Sequence, residues 1–172
     1  MIKLLYPILL MQASASSPPV AEMPPPPPPS PCASEAHDGF DLWVGEWDVF
    51  PNGKDTQVGT SRIERMSGGC AIRETWMPFK GAGGTSVSLF NPVSGRWEQM
   101  WVGSDGRRVD FAGGVVEGKM VLSGYWDDVV GPGKDALVRM TFTSEKGGAV
   151  RQFGEASVDH GLTWQTFFDF LY

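Results

Sequence analysis

Short runs of aromatic and β-branched residues recur through most of this chain, and tight-turn residues separate them. The breaks hold glycine, proline, asparagine or aspartate, as at 51–53 (PNG), 91–95 (NPVSG) and 104–106 (SDG). Such residues supply the positive-φ and proline positions that hairpin turns require. No window of useful length keeps the apolar period of an amphipathic helix. The pattern therefore predicts an all-β chain in which consecutive strands are joined by hairpins.

The number of predicted strands decides how the sheet is arranged. About ten strands joined in sequence leave two exposed edges unless the sheet closes, and closure into a barrel removes both edges. We therefore expect an antiparallel up-and-down barrel of about ten strands, wide enough for packed side chains or one small ligand. The predicted strands are 46–50, 57–66, 70–77, 85–90, 96–102, 107–112, 119–126, 136–143, 149–157 and 163–171.

The amino-terminal part has the features of an export signal followed by a spacer. Residues 1–15 combine Lys3, a short apolar run and an A-x-A cleavage site, which together are typical of a signal peptide. Residues 16–32 include six consecutive prolines (24–29) and are predicted to form an extended, semi-rigid linker. Residues 33–172 then form one barrel domain. The protein is expected to be exported, either to the periplasm or out of the cell.

The two cysteines of the chain, Cys32 and Cys70, fit this compartment. An even count in an exported chain favours a disulfide. The bond would attach the start of the barrel domain to the predicted strand at Cys70. Closing a loop of this length typically stabilises a fold by about 3–4 kcal/mol.

An excess of acidic residues narrows the choice of partners. The formal net charge is −6, and the sequence contains no basic stripe. Contacts to phosphate dominate binding to nucleic acids, so a nucleic-acid partner is not expected. Anionic membrane surfaces are disfavoured for the same reason. The apolar run of the signal peptide is too short to cross a bilayer, and no membrane span is expected after its removal.

Alternation of side chains along the predicted strands places polar groups among tryptophans. Trp97, Gln99 and Trp101 share one face of their strand, and Glu74 shares a face with Trp76. If the large aromatic rings mark the inward side, Glu74 and Gln99 lie on an apolar inner wall. A buried polar group without a partner costs a few kcal/mol, so Glu74 is expected to have one.

Arginines on two later strands are the candidates for that partner. Arg139 lies on one predicted strand and Arg151 on the next, and either is expected to pair with Glu74 inside the barrel. These groups form either a structural polar network that fills the barrel or a ligand site with polar anchors in an apolar cavity. One bulge would reverse the alternation of a strand and change these faces.

The most specific motif is FDLWVGEWDV at 40–49. Its Gly45-x-Trp47 core resembles the G-x-W start of the calycins, the lipocalins and fatty-acid-binding proteins. The longer string resembles a bacterial family classified as a domain of unknown function. The resemblance implies a lipocalin-like barrel with Trp47 as a flat lid at one end, and it brings no established activity. Calycins often pack a late-strand arginine across the first tryptophan, and Arg151 is the nearest equivalent. Other segments similar to the same family lie at 61–65, 68–71, 74–76, 91–97 and 163–169.

The sequence contains no complete motif for a cofactor or for nucleophilic catalysis. His37 and His160 are the two histidines, and both are predicted to lie in turns or loops. Their positions argue against an axial haem ligand and against a zinc site, so no cofactor and no metal are expected. No serine nucleophile motif is evident. Glu74 is the one candidate acid or base, because burial would raise its pKa.

The sequence therefore favours an exported, non-enzymatic protein that binds a small apolar or amphipathic molecule inside a barrel. Two alternatives stay open: an enzyme that uses Glu74 as an acid or base, and an interaction module whose barrel is filled. The candidate ligand-binding residues are Trp47, Glu74, Trp76, Trp97, Gln99, Trp101, Arg139 and Arg151.

Overall fold

The computed structural model describes residues 30–172, so the predicted signal peptide (1–15) and residues 16–29 of the predicted linker lie outside the described residues. In the described part, ten antiparallel strands form a closed barrel, in which each strand pairs with its neighbours in sequence and β1 pairs with β10. The predicted fold class is confirmed. The strands are β1 Gly45–Pro51, β2 Gly59–Met66, β3 Ala71–Pro78, β4 Gly84–Asn91, β5 Arg96–Gly103, β6 Arg108–Val116, β7 Lys119–Trp126, β8 Ala136–Ser144, β9 Val150–Ser157 and β10 Gln165–Leu171.

Helical structure in residues 30–172 is limited to short segments. The helix α1 covers Glu35–Asp38, and single 3₁₀ turns cover Asp41–Trp43, Ser67–Gly69 and Lys146–Gly148. None of these segments has both the length and the apolar character that a membrane-crossing helix requires.

The turns form for the reasons that their residues suggest. Between β4 and β5, the Asn91 side chain accepts a hydrogen bond from the Val93 backbone N–H (2.9 Å), and Gly95 has a φ of 66°. The strand β6 continues to Val116, beyond the predicted end at 112, because Gly113 permits a very close approach to β7. A Cβ atom on Gly113 would lie 1.9 Å from the Val121 carbonyl oxygen.

The barrel has two unlike ends. We call the end that carries the β2–β3 turn, the β4–β5 turn and the segment 34–44 the closed end. The opposite end carries the loops 79–83, 104–107, 127–135 and 158–164, and we call it the open end. The segment 34–44 folds into the closed end and fills it.

Aromatic rings from this segment pack inside the closed end. Phe40 and Trp43 are both fully buried. The Phe142 ring on β8 lies 4.7 Å from that of Phe40 and 4.8 Å from that of Trp43, between centroids. The Trp97 indole N–H donates to the Ala36 carbonyl oxygen (3.1 Å), which fixes the segment against β5. We call the segment 34–44 the plug.

Trp47 has a smaller part in closing this end than the resemblance to calycins implied. Its indole N–H donates to the Trp43 carbonyl oxygen (2.9 Å), and its ring lies 6.3 Å from that of Tyr172. It is only half-buried. The fully buried ring that fills the end is Trp43, which precedes the first strand.

The predicted disulfide between Cys32 and Cys70 is present. It attaches the residues that lead into the plug to the turn between β2 and β3. The Ser30 hydroxyl reinforces this attachment by donating to the Gly68 carbonyl oxygen (2.6 Å). The plug is therefore held to the closed end by a covalent bond as well as by packing.

Candidate functional site

A cavity of about 300 Å³ occupies the open half of the barrel and is reached from the open end. Its wall consists mainly of aromatic rings that point inward from five strands, and its floor carries polar groups. The aromatic side chains of the wall are Trp76, Trp101, Phe111, Trp126, Phe167, Phe168 and Phe170.

A β-bulge explains why three of these rings come from β10. The register of β10 against β9 shifts between Thr166 and Phe168. Strict alternation would send two neighbouring side chains to opposite faces. With the bulge, Phe167, Phe168 and Phe170 all line the cavity. The rings of Phe168 and Phe170 stack at 5.5 Å, and Trp76 lies 5.8 Å from Phe170.

The carboxyl group of Glu74 is buried on the cavity floor. Only 6 % of the surface of Glu74 is exposed to solvent. The Ser86 hydroxyl donates to Oε2 (3.0 Å), and the Ser61 hydroxyl lies 3.4 Å from Oε1. Burial raises the pKa of Glu74 to about 7, although hydrogen bonds from these two hydroxyls act in the opposite direction. Within residues 30–172, the arginine–carboxylate pairs of the barrel do not include Glu74.

Two further polar positions share the floor. The Gln99 amide nitrogen donates to the Ser88 hydroxyl (2.9 Å). The Tyr172 hydroxyl donates to the Gln152 amide oxygen (2.7 Å). Burial, together with the nearby charge of Glu74, raises the pKa of Tyr172 well above its ordinary value, so the phenol stays protonated near neutral pH. Tyr172 also contacts the ring of Trp43 at 5.7 Å and thus separates the cavity from the plug.

The entrance of the cavity lies between the β3–β4 and β5–β6 turns. Ala82 and Gly83 line it on one side, and Asp105 and Arg107 line it on the other. The Arg107 guanidinium lies 3.3 Å from an Asp105 carboxylate oxygen. The two charges at the entrance are therefore paired with each other.

The structure places the predicted site residues in three positions: along the cavity, at the closed end and on the outer face of the barrel. Glu74, Trp76, Gln99 and Trp101 line the cavity, as the alternation of β3 and β5 suggested. Trp97 and Trp47 do not line it. Trp97 is buried at the closed end against Phe40, and Trp47 contacts Trp43 and Tyr172 there.

The prediction that an arginine pairs with Glu74 is wrong. Arg139 donates to Glu155 on β9 at 2.8 and 3.1 Å, and its guanidinium lies 4.1 Å from the Trp164 ring. Arg151 donates to Asp169 on β10 at 2.7 and 2.8 Å. Both arginines project from the outer face of the barrel, because the inward positions of β8 and β9 belong to the residues on either side of them.

Several cavity residues were not identified from the sequence. Phe111 could have been found by the alternation that places Val109 and Phe111 on one face of β6. The residues of β10 could not, because a bulge has no sequence signature here. The lining residues absent from the predicted set include Phe111, Trp126, Met140, Gln152, Phe167, Phe168, Phe170 and Tyr172.

The site offers acid–base and ion-pairing chemistry. A carboxyl group with a pKa near 7 exists in both protonation states at neutral pH, so it can exchange a proton or pair with a cation. In the described part of the chain, no three His, Cys, Asp or Glu side chains gather at one point. His37 is hydrogen-bonded to Ser34 and His160 to Tyr125, and neither lines the cavity.

Comparisons with known proteins give no family for this chain. A scan against protein-family models finds no match, and no curated protein matches the sequence at a significant level.

Proposed function

We propose that this protein is an exported, non-enzymatic binder of a small molecule, which enters at the open end and lies in the barrel cavity. The observation that carries the proposal is the cavity itself, with aromatic rings around it and Glu74 buried on its floor without an ion partner. The ligand is a mainly apolar molecule with one polar group that reaches Glu74 and Gln99.

The size and the lining of the cavity support this function. Its volume of about 300 Å³ lies at the lower end of the range for small-molecule sites. Such sites are mostly apolar and contain a few polar groups that fix the orientation of the ligand. Trp76 and Trp101 would cover the apolar body, and Glu74 and Gln99 would provide the polar anchors.

Export is supported by the covalent chemistry of the closed end. Disulfides form and persist in oxidising compartments such as the periplasm or the extracellular space. The Cys32–Cys70 bond fits that environment. It agrees with the signal peptide that the sequence predicts at 1–15.

A blocked entrance tests the binding function. Ala82 is exposed and lines the entrance, so Ala82→Trp would narrow it without disturbing the core. Val93 is 96 % exposed in the β4–β5 turn at the closed end, and Val93→Trp is the matched control. The readout is the fluorescence of the neutral apolar probe N-phenyl-1-naphthylamine added to the full chain.

We expect wild type and Val93→Trp to bind the probe with equal affinity. Ala82→Trp should bind at least about tenfold more weakly, which corresponds to about 1.4 kcal/mol. Equal affinities for all three proteins would show that the probe does not use the open end. No binding to wild type would contradict the proposal directly.

An enzyme that uses Glu74 is the second candidate, favoured by the pKa of about 7. General acids and bases work best with a pKa near the operating pH. Mass spectrometry of molecules recovered from the protein separates the two functions. A binder releases each molecule with its mass unchanged. An enzyme releases an altered molecule, and Glu74→Gln would abolish the alteration while the fold persists.

A further inference from the structure

We propose that the ligand of the barrel cavity is an organic cation: a small amine whose ammonium group pairs with Glu74 and whose apolar body lies among the aromatic rings. The inference rests on the proposed binding function and names the ligand class for that site. Three features of the described residues carry it.

The first feature is the incomplete hydrogen bonding of the Glu74 carboxylate. An ionised carboxylate can accept about four hydrogen bonds. Ser86 supplies one at 3.0 Å. The second, from the Ser61 hydroxyl, is a long and weak hydrogen bond of 3.4 Å. Glu74 therefore retains acceptor capacity on the cavity floor, where a buried charge without a cation is costly. An ammonium group supplies both the charge and the missing donors.

The second feature is the aromatic wall next to this carboxylate. Trp76 lies two positions along β3 from Glu74, and Trp101 faces Ser86 across the β4–β5 ladder. Indole faces attract cations more strongly than other aromatic faces. The same rings cover the apolar part of an amine. One wall thus serves both halves of the ligand.

The third feature is the distribution of charge around the cavity. Among the described lining residues, Arg107 is the basic group, and Asp105 at the entrance already neutralises it. An anionic ligand would meet the like charge of Glu74 without a compensating cation. The net charge of −6 also attracts cations to the molecule and repels anions.

The protonation of Glu74 makes the inference testable through pH. Tyr172 is the other titratable group on the floor, and it stays neutral because its pKa is raised. Asp105 and Arg107 form the pair at the entrance. The other side chains that contact Glu74 or line the cavity do not titrate near neutral pH. They include Ser61 on β2, Ser86 on β4, Gln99 on β5, Phe111 on β6, Trp126 on β7, Met140 on β8, Gln152 on β9 and Phe168 on β10.

Amine affinity should therefore follow the ionisation of Glu74, whose pKa is about 7. A cation favours the ionised carboxylate and lowers its pKa, so binding releases a proton. Affinity should rise about tenfold between about pH 6 and about pH 8, because the ionised fraction rises by that factor. A neutral ligand that accepts a hydrogen bond from the protonated carboxyl group of Glu74 would show the opposite trend.

The experiment uses isothermal titration calorimetry of the full chain with three probes of similar shape. These are 2-phenylethylamine, 2-phenylethanol and 3-phenylpropanoate, which are cationic, neutral and anionic. We expect the amine to bind most tightly at about pH 8, with the pH dependence given above, and the carboxylate most weakly. Glu74→Gln should remove the advantage of the amine over the alcohol. Glu117→Gln, at an exposed carboxyl in the β6–β7 turn, is the matched control and should behave as wild type.

A second variant keeps the carboxyl group. Ser86→Ala removes the hydroxyl that lowers the pKa of Glu74. The midpoint of the pH profile for amine binding should then move to higher pH. This shift would not occur if the amine bound without contacting the carboxylate.

The outcomes separate the ligand class from the proposed function. Equal affinity for amine and alcohol, insensitive to pH and to Glu74→Gln, overturns the cation and leaves the cavity as a binding site for neutral molecules. Failure of all three probes in a cavity that still admits N-phenyl-1-naphthylamine also overturns the cation. If the naphthylamine probe fails as well, the binding function itself is wrong.

Discussion

The closed end and the open end of the barrel are built from the same kinds of side chain, yet one is solid and the other is hollow. At the closed end, Phe40 and Trp43 enter from the plug and meet Phe142 on the wall. At the open end, Trp76 and Trp101 stand around a cavity of about 300 Å³. The difference is the presence of a segment outside the strands that folds back into the barrel. Aromatic strands alone do not determine whether an interior is packed.

The two ends also differ in polarity. The Glu74 carboxyl group is buried on the floor of the open half, and burial raises its pKa to about 7. Among residues 30–172, the aromatic rings of the closed end surround no buried carboxyl group. We therefore expect packing at the closed end to contribute more to stability than packing at the open end, and the open end to determine binding. Four measurements examine the two ends and the outer face.

The largest expected effect is at Trp43. Trp43→Ala removes a fully buried ring from the closed end and should lower the free energy of unfolding by about 3–5 kcal/mol. Trp101→Ala removes a half-buried ring that already borders the cavity, and it should cost only about 1–2 kcal/mol. Urea denaturation measures both values. Equal losses would mean that the open end is as tightly packed as the closed end.

The disulfide gives the next effect. The double variant Cys32→Ala, Cys70→Ala opens a loop with a sequence separation of 38. The free energy of unfolding should fall by about 3–4 kcal/mol, because the unfolded chain gains freedom. The folded fraction should still bind N-phenyl-1-naphthylamine with wild-type affinity. A lost affinity would show that the attachment of the plug also shapes the cavity.

The pH dependence of stability tests the buried carboxyl group. Burial raises the pKa of Glu74 from its ordinary value of 4.5 to about 7 in the folded protein. Folding is therefore accompanied by proton uptake between about pH 4.5 and about pH 7. The protonated carboxyl group contributes fully to the free energy of unfolding below about pH 4.5. This contribution is lost as the pH rises through about 7, a change of about 3 kcal/mol. Urea denaturation at several pH values should show this decline in wild type and in Glu117→Gln. Glu74→Gln should lack it, and parallel curves for Glu74→Gln and wild type would place the carboxyl group in water.

The smallest effect is expected on the outer face. Arg139→Gln removes an ion pair with Glu155 whose side chains are 37 % and 21 % exposed. Exposed pairs contribute about 0–1 kcal/mol, so stability should change by less than about 1 kcal/mol. Probe affinity should not change. A tenfold loss of affinity would connect this arginine to the cavity, contrary to its position in the structure.

The regular parts of this fold could be predicted from its sequence because their chemistry is local. Turn residues such as Asn91 and Gly95 mark the ends of strands, and alternation places Glu74, Trp76 and Gln99 on the inner face. Those positions need only the two-residue period of a strand. Closure of the barrel follows from the number of strands in one meander.

The remaining features of the fold and the site depended on tertiary packing, which the two-residue alternation of a strand does not reveal. Arg151 was expected inside the barrel, but it lies on the outer face of β9, where its guanidinium covers the Phe153 ring at 4.9 Å. On this strand the aromatic ring does not mark the inward face, because an arginine covers it on the surface. The bulge in β10 likewise brought Phe167 and Phe168 to the cavity together. The plug was unforeseen because its rings precede the first strand.

The disulfide and the contact between Ser30 and Gly68 fix where the amino-terminal residues join the barrel. That junction is at the closed end, and the entrance between Ala82 and Asp105 is at the open end. A group attached at Ser30 would therefore lie at the closed end, away from the entrance of the cavity. The chain therefore enters the barrel at the closed end, and the entrance at the open end stays accessible to molecules in the surrounding solution.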